Sequence, residues 1–299
     1  MPMTWKKVVI PNPKLYISRF VKNKENPYLV FIHGGPGLNS GVLEYLIENE
    51  SLFGSLNYNI VLYDQRGCGR SKTSSEVVSH VDNINDLNLI YRSLIEEEDL
   101  KIQGCIGHSY GAKLLFDFYQ TFKPRLPGIF VSIADSMLTP RLRNLILDFN
   151  YLKSKDVDKY KAIYRKMSSI DLGNFWELTE DLTPLFFENK DRPYMYWANL
   201  DYFEKVENIQ KQINLPINKQ VFMDVRKNLY SNRKNLPVNI EKLTIPYLWI
   251  NGIHDYIMNG TQGLSENSKV TPFFKSSHYP HLEENDRFCE VVNEFIEAL

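Results

Sequence analysis

The sequence predicts an α/β fold in which a mostly parallel, doubly wound sheet carries an inserted helical cap. Short apolar runs without polar alternation recur along the chain, as expected for strands that are buried on both faces. Segments with helical spacing separate these runs, and such alternation builds a parallel sheet with helices on both sides. From residue 136 to 244 the alternation stops, and segments rich in Tyr, Phe, Trp, Asn and Lys show helical periodicity instead. We interpret this stretch as a cap inserted after one strand.

The predicted elements follow in chain order from the amino terminus. Two β-prone runs at 6–10 and 15–21 flank a Pro-Asn-Pro turn and predict an antiparallel hairpin at a sheet edge. Continuous apolar runs predict buried strands at 28–32, 59–63, 102–106, 129–134, 246–250 and 270–274. Helical spacing predicts helices at 42–49, 84–94, 112–122 and 288–299. The predicted organisation is a core formed by 1–135 and 245–299, with the cap at 136–244.

Composition excludes several classes of function. The chain has 299 residues, 43% of them hydrophobic, which suffices to bury one large core. A formal net charge of −1 provides no basic surface, so we expect neither nucleic acid nor a membrane as partner. No apolar run is long enough for a secretion signal or a membrane span, and we therefore expect a cytoplasmic location. The three cysteines, Cys68, Cys105 and Cys289, lack metal-ligand spacing, so we expect no metal and no cofactor.

A serine lies between two glycines directly after the predicted strand 102–106. The pentapeptide Gly107-His108-Ser109-Tyr110-Gly111 is followed by a helical pattern, which is the strand, turn and helix order of a nucleophile elbow. Such a turn holds the central residue in a strained backbone conformation and exposes it at the end of a strand. Ser109 is therefore the candidate nucleophile.

A serine hydroxyl needs a base to take its proton, and in this topology the acid and the histidine come late in the chain. His278 follows the last predicted strand and is the preferred base, while His281, flanked by Pro280 and Leu282, is the alternative. Asp255 follows the strand 246–250 and is the preferred acid. Asp135, directly after the strand 129–134, competes for that role, or caps the first cap helix.

Backbone amides are the expected donors to the negative charge of a transition state. The segment His-Gly-Gly-Pro-Gly at 33–37 follows a strand, and its glycines allow close approach to a substrate. We expect the amides of Gly35 and of Tyr110 to form an oxyanion hole. His33 and the segment 64–71, Asp-Gln-Arg-Gly-Cys-Gly-Arg-Ser, are expected to support this loop.

Together these motifs resemble the α/β-hydrolase superfamily, and the segments 33–37 and 64–71 specifically resemble the proline iminopeptidase family. The resemblance covers the whole chain. It implies a serine hydrolase with a helical cap that releases the amino-terminal residue of short peptides. It assigns Ser109, His278 and Asp255 to the triad, with Gly35 and Tyr110 as oxyanion donors.

The chain departs from that family where a substrate amine would bind. Family members hold the amine with glutamates in or near the cap, commonly one after a tryptophan, whereas Ala198 follows Trp197 here. Trp197 and Glu204 are the candidate substrate-binding residues, and further carboxylates of the cap are Glu177, Asp201 and Glu207. The expected substrate is a short peptide or another small molecule. A carboxylesterase, a lactonase or another acyl hydrolase remains an alternative, as does a noncatalytic relative that binds a ligand or a partner.

Overall fold

The protein is built around one sheet in a computed structural model that describes residues 4–11, 13–71, 77–167, 185–231, 236–258 and 270–299. Its strands in the described residues are β1 (Thr4–Pro11), β2 (Lys14–Val21), β3 (Tyr28–Ile32), β4 (Asn59–Tyr63), β5 (Ile102–His108), β6 (Gly128–Val131), β7 (Tyr247–Gly252) and β8 (Val270–Phe273). They are arranged in the order β1-β2-β4-β3-β5-β6-β7-β8. The pairs β1/β2 and β2/β4 are antiparallel and all others are parallel. The predicted hairpin and the mostly parallel sheet are confirmed, although Asn12 of the predicted turn lies outside the described residues.

Helices cover both faces of this sheet. Those of the described residues are α1 (Gly41–Glu50), α2 (His80–Arg92), α3 (Tyr110–Phe122), α4 (Leu138–Lys155), α5 (Val157–Met167), α6 (Leu185–Glu188), α7 (Leu200–Ile213), α8 (Lys219–Ser231), α9 (Pro280–Glu283) and α10 (Asn285–Glu297). Successive side chains of a strand point to opposite faces. Accordingly Val30 of β3 packs in the core with α2 and α3, while Phe31 packs in the core with α1 and α10. This two-sided burial explains why the strands read as continuous apolar runs.

The chain between β6 and β7 is helical wherever the structure describes it as regular, apart from one isolated bridge between Ser136 and Pro237. Its helix α8 buries Val225 in the core on one face of the sheet, and Trp197 joins the core on the other face. The inserted cap is therefore packed against the sheet domain. Residues 136–244 remain the predicted extent of the cap.

Two strand boundaries differ from the sequence prediction, and both affect the site. β5 continues through His108, because that residue still pairs with Val131 of β6. β6 ends at Val131 and not at Ala134, since Ser132 adopts φ 51° and leaves the extended region.

No helix in the described part of the chain has the length and apolar content that a bilayer span needs.

Candidate active site

Ser109 occupies the sharp turn between β5 and α3. Its backbone has φ 55° and ψ −119°, a region that residues other than glycine rarely adopt. The amide of Ser109 donates a 2.9 Å hydrogen bond to the carbonyl of Val131, which anchors the turn to β6. Ser109 as a whole residue is 8% exposed, and it lines a cavity. The structure therefore has the elbow geometry that the sequence predicts.

The two glycines of the motif permit this close packing. A Cβ atom on Gly107 would lie 2.6 Å from the carbonyl oxygen of Gly111, inside the turn itself. A Cβ atom on Gly111 would lie 2.2 Å from the carbonyl oxygen of Ile32, at the end of β3. Any larger residue at either position would separate the strand from the helix.

His278 and Asp255 form a buried pair. The Nδ1 atom of His278 donates a 2.8 Å hydrogen bond to Oδ2 of Asp255, and the two residues are 3% and 0% exposed. The other carboxylate oxygen, Oδ1, accepts hydrogen bonds of 3.0 Å from the amides of Ile257 and Met258. Because Nδ1 carries its proton toward Asp255, Nε2 is the ring nitrogen that can accept another proton. Ser109 and His278 line the same cavity.

The alternative histidine and acid lie elsewhere. His281 packs its ring between Phe31 and His108, with centroids 5.2 and 4.6 Å away, and its Nδ1 atom has no hydrogen-bond partner among the described residues. Burial, with a smaller effect of His278, lowers the pKa of His281 to about 3. Asp135 is half-buried, and its carbonyl accepts a hydrogen bond from the amide of Val238. The structure thus brings Asp255 to His278 and packs His281 against aromatic rings.

The two predicted oxyanion donors border the cavity beside Ser109. Gly35 has φ 125°, a conformation that favours glycine. Tyr110 is the first residue of α3, where a backbone N–H has no acceptor within the helix. Both amides belong to the segments that the sequence motifs single out.

A network that sequence reasoning missed holds the start of α3. The hydroxyl of Tyr110 accepts a 3.0 Å hydrogen bond from Asn83 and lies 2.9 Å from Nδ1 of His80. His80 in turn donates through Nε2 to Asp117 at 2.6 Å, and Lys113 forms an ion pair with the same carboxylate at 2.7 Å. The network joins α2 to α3, which are far apart in the sequence, so no local pattern relates the residues of one helix to those of the other.

The loop that carries Gly35 is braced by charged groups. Asp64 is fully buried and accepts hydrogen bonds of 2.8 Å from the amide of Ser40 and from Nε of Arg70. Burial alone would raise the pKa of Asp64, but the bonds from Arg70 and Ser40 outweigh it and lower the pKa. Arg70 also pairs with Glu44 on α1. The predicted supporting role of this segment is consistent with these contacts.

The cap closes over Ser109 and leaves a cavity of about 340 Å³. Trp197 lines it and stacks on Tyr279, with ring centroids 4.1 Å apart. Glu204 is exposed on α7 and is not among the residues that line the cavity, whereas Glu207 lines it and is also exposed. Glu207 therefore lies at the opening. Asp201 is exposed and away from the cavity, and Glu177 lies outside the described residues.

Two arginines that sequence reasoning missed also line the cavity, Arg192 and Arg226.

The three cysteines are buried with free thiols. Burial raises the thiol pKa to about 12 for Cys68, about 12 for Cys105 and about 11 for Cys289. Such thiols stay protonated at neutral pH and are poor nucleophiles.

Comparison with known proteins supports the family and the fold. Residues 29–291 match the model of the alpha/beta hydrolase family. The chain is 28% identical to a proline iminopeptidase of Saccharolobus solfataricus over 95% of this chain and 89% of the relative. Among solved structures, a proline iminopeptidase-related protein from Thermus thermophilus superposes with a TM-score of 0.67 at 18% identity, covering 100% of this chain and 99% of that one. An esterase from Exiguobacterium antarcticum superposes with a TM-score of 0.59 at 13% identity, covering 97% of each chain.

The two structural likenesses show the fold, and the match over residues 29–291 extends from β3 to α10 and includes the elbow, Asp255 and His278. The chain belongs to the alpha/beta hydrolase family.

Proposed function

We propose that this protein is a serine hydrolase that releases the amino-terminal residue of short peptides through an acyl-enzyme. The observation that carries the hydrolase proposal is the 2.8 Å pair of His278 and Asp255 on a cavity that Ser109 also lines. A serine in a strained elbow, a histidine with a free Nε2 and a buried acid are the parts that nucleophilic acyl transfer needs.

The proposed reaction has two halves. Nε2 of His278 takes the hydroxyl proton as Ser109 attacks the carbonyl carbon, and Asp255 stabilises the resulting imidazolium. The amides of Gly35 and Tyr110 donate to the oxyanion, and His278 then returns the proton to the leaving amine. Water then attacks the acyl-enzyme, again with His278 as the base. This step releases the amino-terminal residue as a free amino acid and regenerates Ser109.

Peptides with a free amino terminus fit the charge at the opening of the cavity. Glu207 lines the cavity, and its charge is one of the smaller contributions that raise the pKa of Tyr279, after burial. Tyr279 follows His278 directly, so this carboxylate acts close to the proposed base. A carboxylate there can pair with a substrate ammonium group. The relatives named proline iminopeptidase support the same substrate class.

An ester or another small acyl compound is the second candidate substrate. The cavity wall is largely apolar and aromatic, including Phe203, Phe222 and Trp197. Such a wall accepts an uncharged acyl chain as well as a proline ring. The likeness to an esterase structure is compatible with this alternative.

A substrate panel separates the two candidates. We expect proline and other aminoacyl arylamides to be cleaved with a higher kcat/KM than their N-acetylated forms and than p-nitrophenyl butyrate. Ser109→Ala should abolish turnover while circular dichroism stays that of the wild type. Ser93→Ala, which changes a buried serine that does not line the cavity, is the matched control. Cleavage of esters without any cleavage of aminoacyl arylamides would contradict the peptidase proposal.

A further inference from the structure

Arg226 is a buried cation in the wall of the cavity. It lies on α8, is 7% exposed, and lines the same cavity as Ser109 and His278. Its guanidinium carbon lies 4.6 Å from the ring centroid of Phe222 and 5.3 Å from that of Phe186. These rings orient the planar group through cation–π contacts but do not neutralise its charge. In the ranges that the structure describes, no ion pair or hydrogen bond joins Arg226 to an acceptor.

Arg192 provides the contrast, because it lines the same cavity and each of its three guanidinium nitrogens donates a hydrogen bond. It forms an ion pair with Asp148 and a hydrogen bond with Oδ1 of Asn144, and its Nε donates to the carbonyl of Phe186 at 3.1 Å. The side chains of Arg192 and Asp148 are 4% and 5% exposed. The carboxylate of Asp148 is thus committed to Arg192.

A second buried arginine, Arg141, lies close enough to Arg226 for the two positive charges to interact. Burial, followed by the charge of Arg226 and a smaller effect of Arg192, lowers the pKa of Arg141 to about 10 against the opposing effects of Tyr230 and Asp148. A buried charge is unfavourable unless an opposite charge or strong acceptors meet it. A ligand that enters the cavity with an anionic group would supply that partner.

We propose that Arg226 binds a carboxylate of the substrate, so that this cavity selects substrates that carry an anionic group besides the scissile bond. A guanidinium presents a planar set of donors that matches the two oxygens of a carboxylate. The contacts with the rings of Phe222 and Phe186 orient this plane before a ligand binds. This proposal takes one point from the proposed function, namely that the substrate binds in this cavity.

Two sources could supply this carboxylate. In a dipeptide it is the carboxyl terminus, and with Glu207 at the opening the cavity then offers one charge of each sign to a zwitterion. In a longer peptide or an arylamide it is the side chain of an acidic first residue. The chemistry at Arg226 is the same in both cases.

A binding experiment tests the proposal without any turnover. Ser109→Ala protein is titrated calorimetrically with 4-phenylbutyrate and with 4-phenylbutyramide, which differ in charge at nearly equal size. We expect the acid to bind at least about tenfold more tightly, as a charge-assisted hydrogen bond implies. The added substitution Arg226→Met should remove this preference and Arg226→Lys should keep part of it. Arg125→Met, which removes an exposed arginine away from the cavity, should leave the preference in place.

Equal binding of the acid and the amide by Ser109→Ala protein would overturn the proposal, and so would a preference that survives Arg226→Met in a folded protein. If Arg226→Met does not fold, the comparison of acid with amide and the Arg226→Lys variant still decide. Failure of the proposed peptidase function would leave this binding result unaffected.

Kinetics with the wild-type enzyme then identify the source of the carboxylate. Faster cleavage of a prolyl dipeptide than of its carboxyl-terminal amide assigns it to the carboxyl terminus. Faster cleavage of a glutamyl arylamide than of the glutaminyl arylamide assigns it to the first residue. Cleavage of neutral prolyl arylamide with no preference for the acid in either pair would contradict the anion subsite and leave the peptidase proposal standing.

Discussion

The backbone amide of His278 donates a 3.1 Å hydrogen bond to the backbone carbonyl of Tyr196, which ties the histidine loop directly to the cap. The neighbouring rings of Trp197 and Tyr279 stack across the same junction, 20° from parallel. Glu283 accepts from cap amides and from the histidine loop at once, through the N–H groups of Ala198, Asn199 and Ser277. The proposed base and the cap wall of the cavity are therefore positioned by one set of contacts.

Asp255→Asn should lower kcat by about 10³–10⁴ while the protein stays folded. The Oδ1 atom of the asparagine can still accept from Ile257 and Met258, so its amide group is turned toward Nδ1 of His278. That amide donates where the carboxylate accepted, which favours the tautomer with its proton on Nε2 and removes the base. Steady-state kinetics measure the loss. Asp135→Asn is the control, and a comparable loss in that variant would shift the acid to Asp135.

Glu207→Gln should reduce kcat/KM for aminoacyl arylamides, relative to their N-acetylated forms, by about two- to tenfold. The effect is expected to be modest because Glu207 is exposed and water screens its charge. Glu204→Gln, three residues earlier on α7 and off the cavity, should leave that ratio at the wild-type value. An equal effect of both substitutions would contradict a specific contact of Glu207 with the substrate amine, and would assign the effect to the net negative charge of α7. The ratio should also fall as salt is added.

Arg70→Met should destabilise the protein strongly, by about 3–5 kcal/mol, because it leaves the buried carboxylate of Asp64 without its cation. The side chains of Arg70 and Asp64 are 24% and 0% exposed, so solvent cannot replace the lost partner. Denaturation in urea measures the loss. Arg92→Met is the control, because it breaks an ion pair with Glu96 in which both side chains are exposed to water. The stability of this variant should hardly change. A small effect of Arg70→Met would show that Ser40 and the backbone amide of residue 70 satisfy Asp64 without the guanidinium.

Stability should fall when the pH drops below about 6.5, the pKa of an unfolded histidine. Burial lowers the pKa of His281 to about 3 and that of His108 well below its usual value, with neighbouring histidines adding to both effects. Below pH ~6.5 the unfolded chain binds protons that the folded chain does not, so the free energy of unfolding decreases by up to about 1.4 kcal/mol per pH unit and histidine. The full stabilisation is present above that pH and declines toward pH 3.

Urea denaturation measures how the free energy of unfolding changes with pH. The measurements are made at several pH values from about 7.5 to about 5, which bracket the pKa of a free histidine. His281→Gln should make this slope shallower, whatever its effect on stability at neutral pH. His254→Gln, which changes an exposed histidine, should keep the wild-type slope. An identical slope in His281→Gln and the wild type would contradict the assignment of this pH dependence to His281.

The strands and the elbow could be predicted because their signals are local. A strand buried on both faces has no polar residues, and the turn at Ser109 needs glycines at fixed offsets from it. The assignment of Asp255 and His278 followed from chain order, because the loops at the carboxyl ends of parallel strands meet at one edge. The pairing of Asp255 with His278 could therefore be predicted from the order of the elements, while their roles stay a prediction.

The cap wall could not be predicted in the same way. Glu204 and Glu207 are only three residues apart on α7, about 60° around the helix, and a small rotation decides which one borders the cavity. Tertiary packing sets that rotation. Likewise Arg226 and the network of His80 with Tyr110 join segments far apart in the chain, and no spacing rule connects them.

If Ser109 is an activated nucleophile, as we propose, an electrophile aimed at such serines should label it covalently. Wild-type protein is incubated with a fluorophosphonate probe, its intact mass is measured, and the site is mapped by peptide sequencing in the mass spectrometer. We expect a single adduct on Ser109, none in Ser109→Ala, and much slower labelling in His278→Ala, because only a serine with a base reacts readily. An unlabelled wild-type protein, or an adduct that persists in Ser109→Ala, would contradict this proposal.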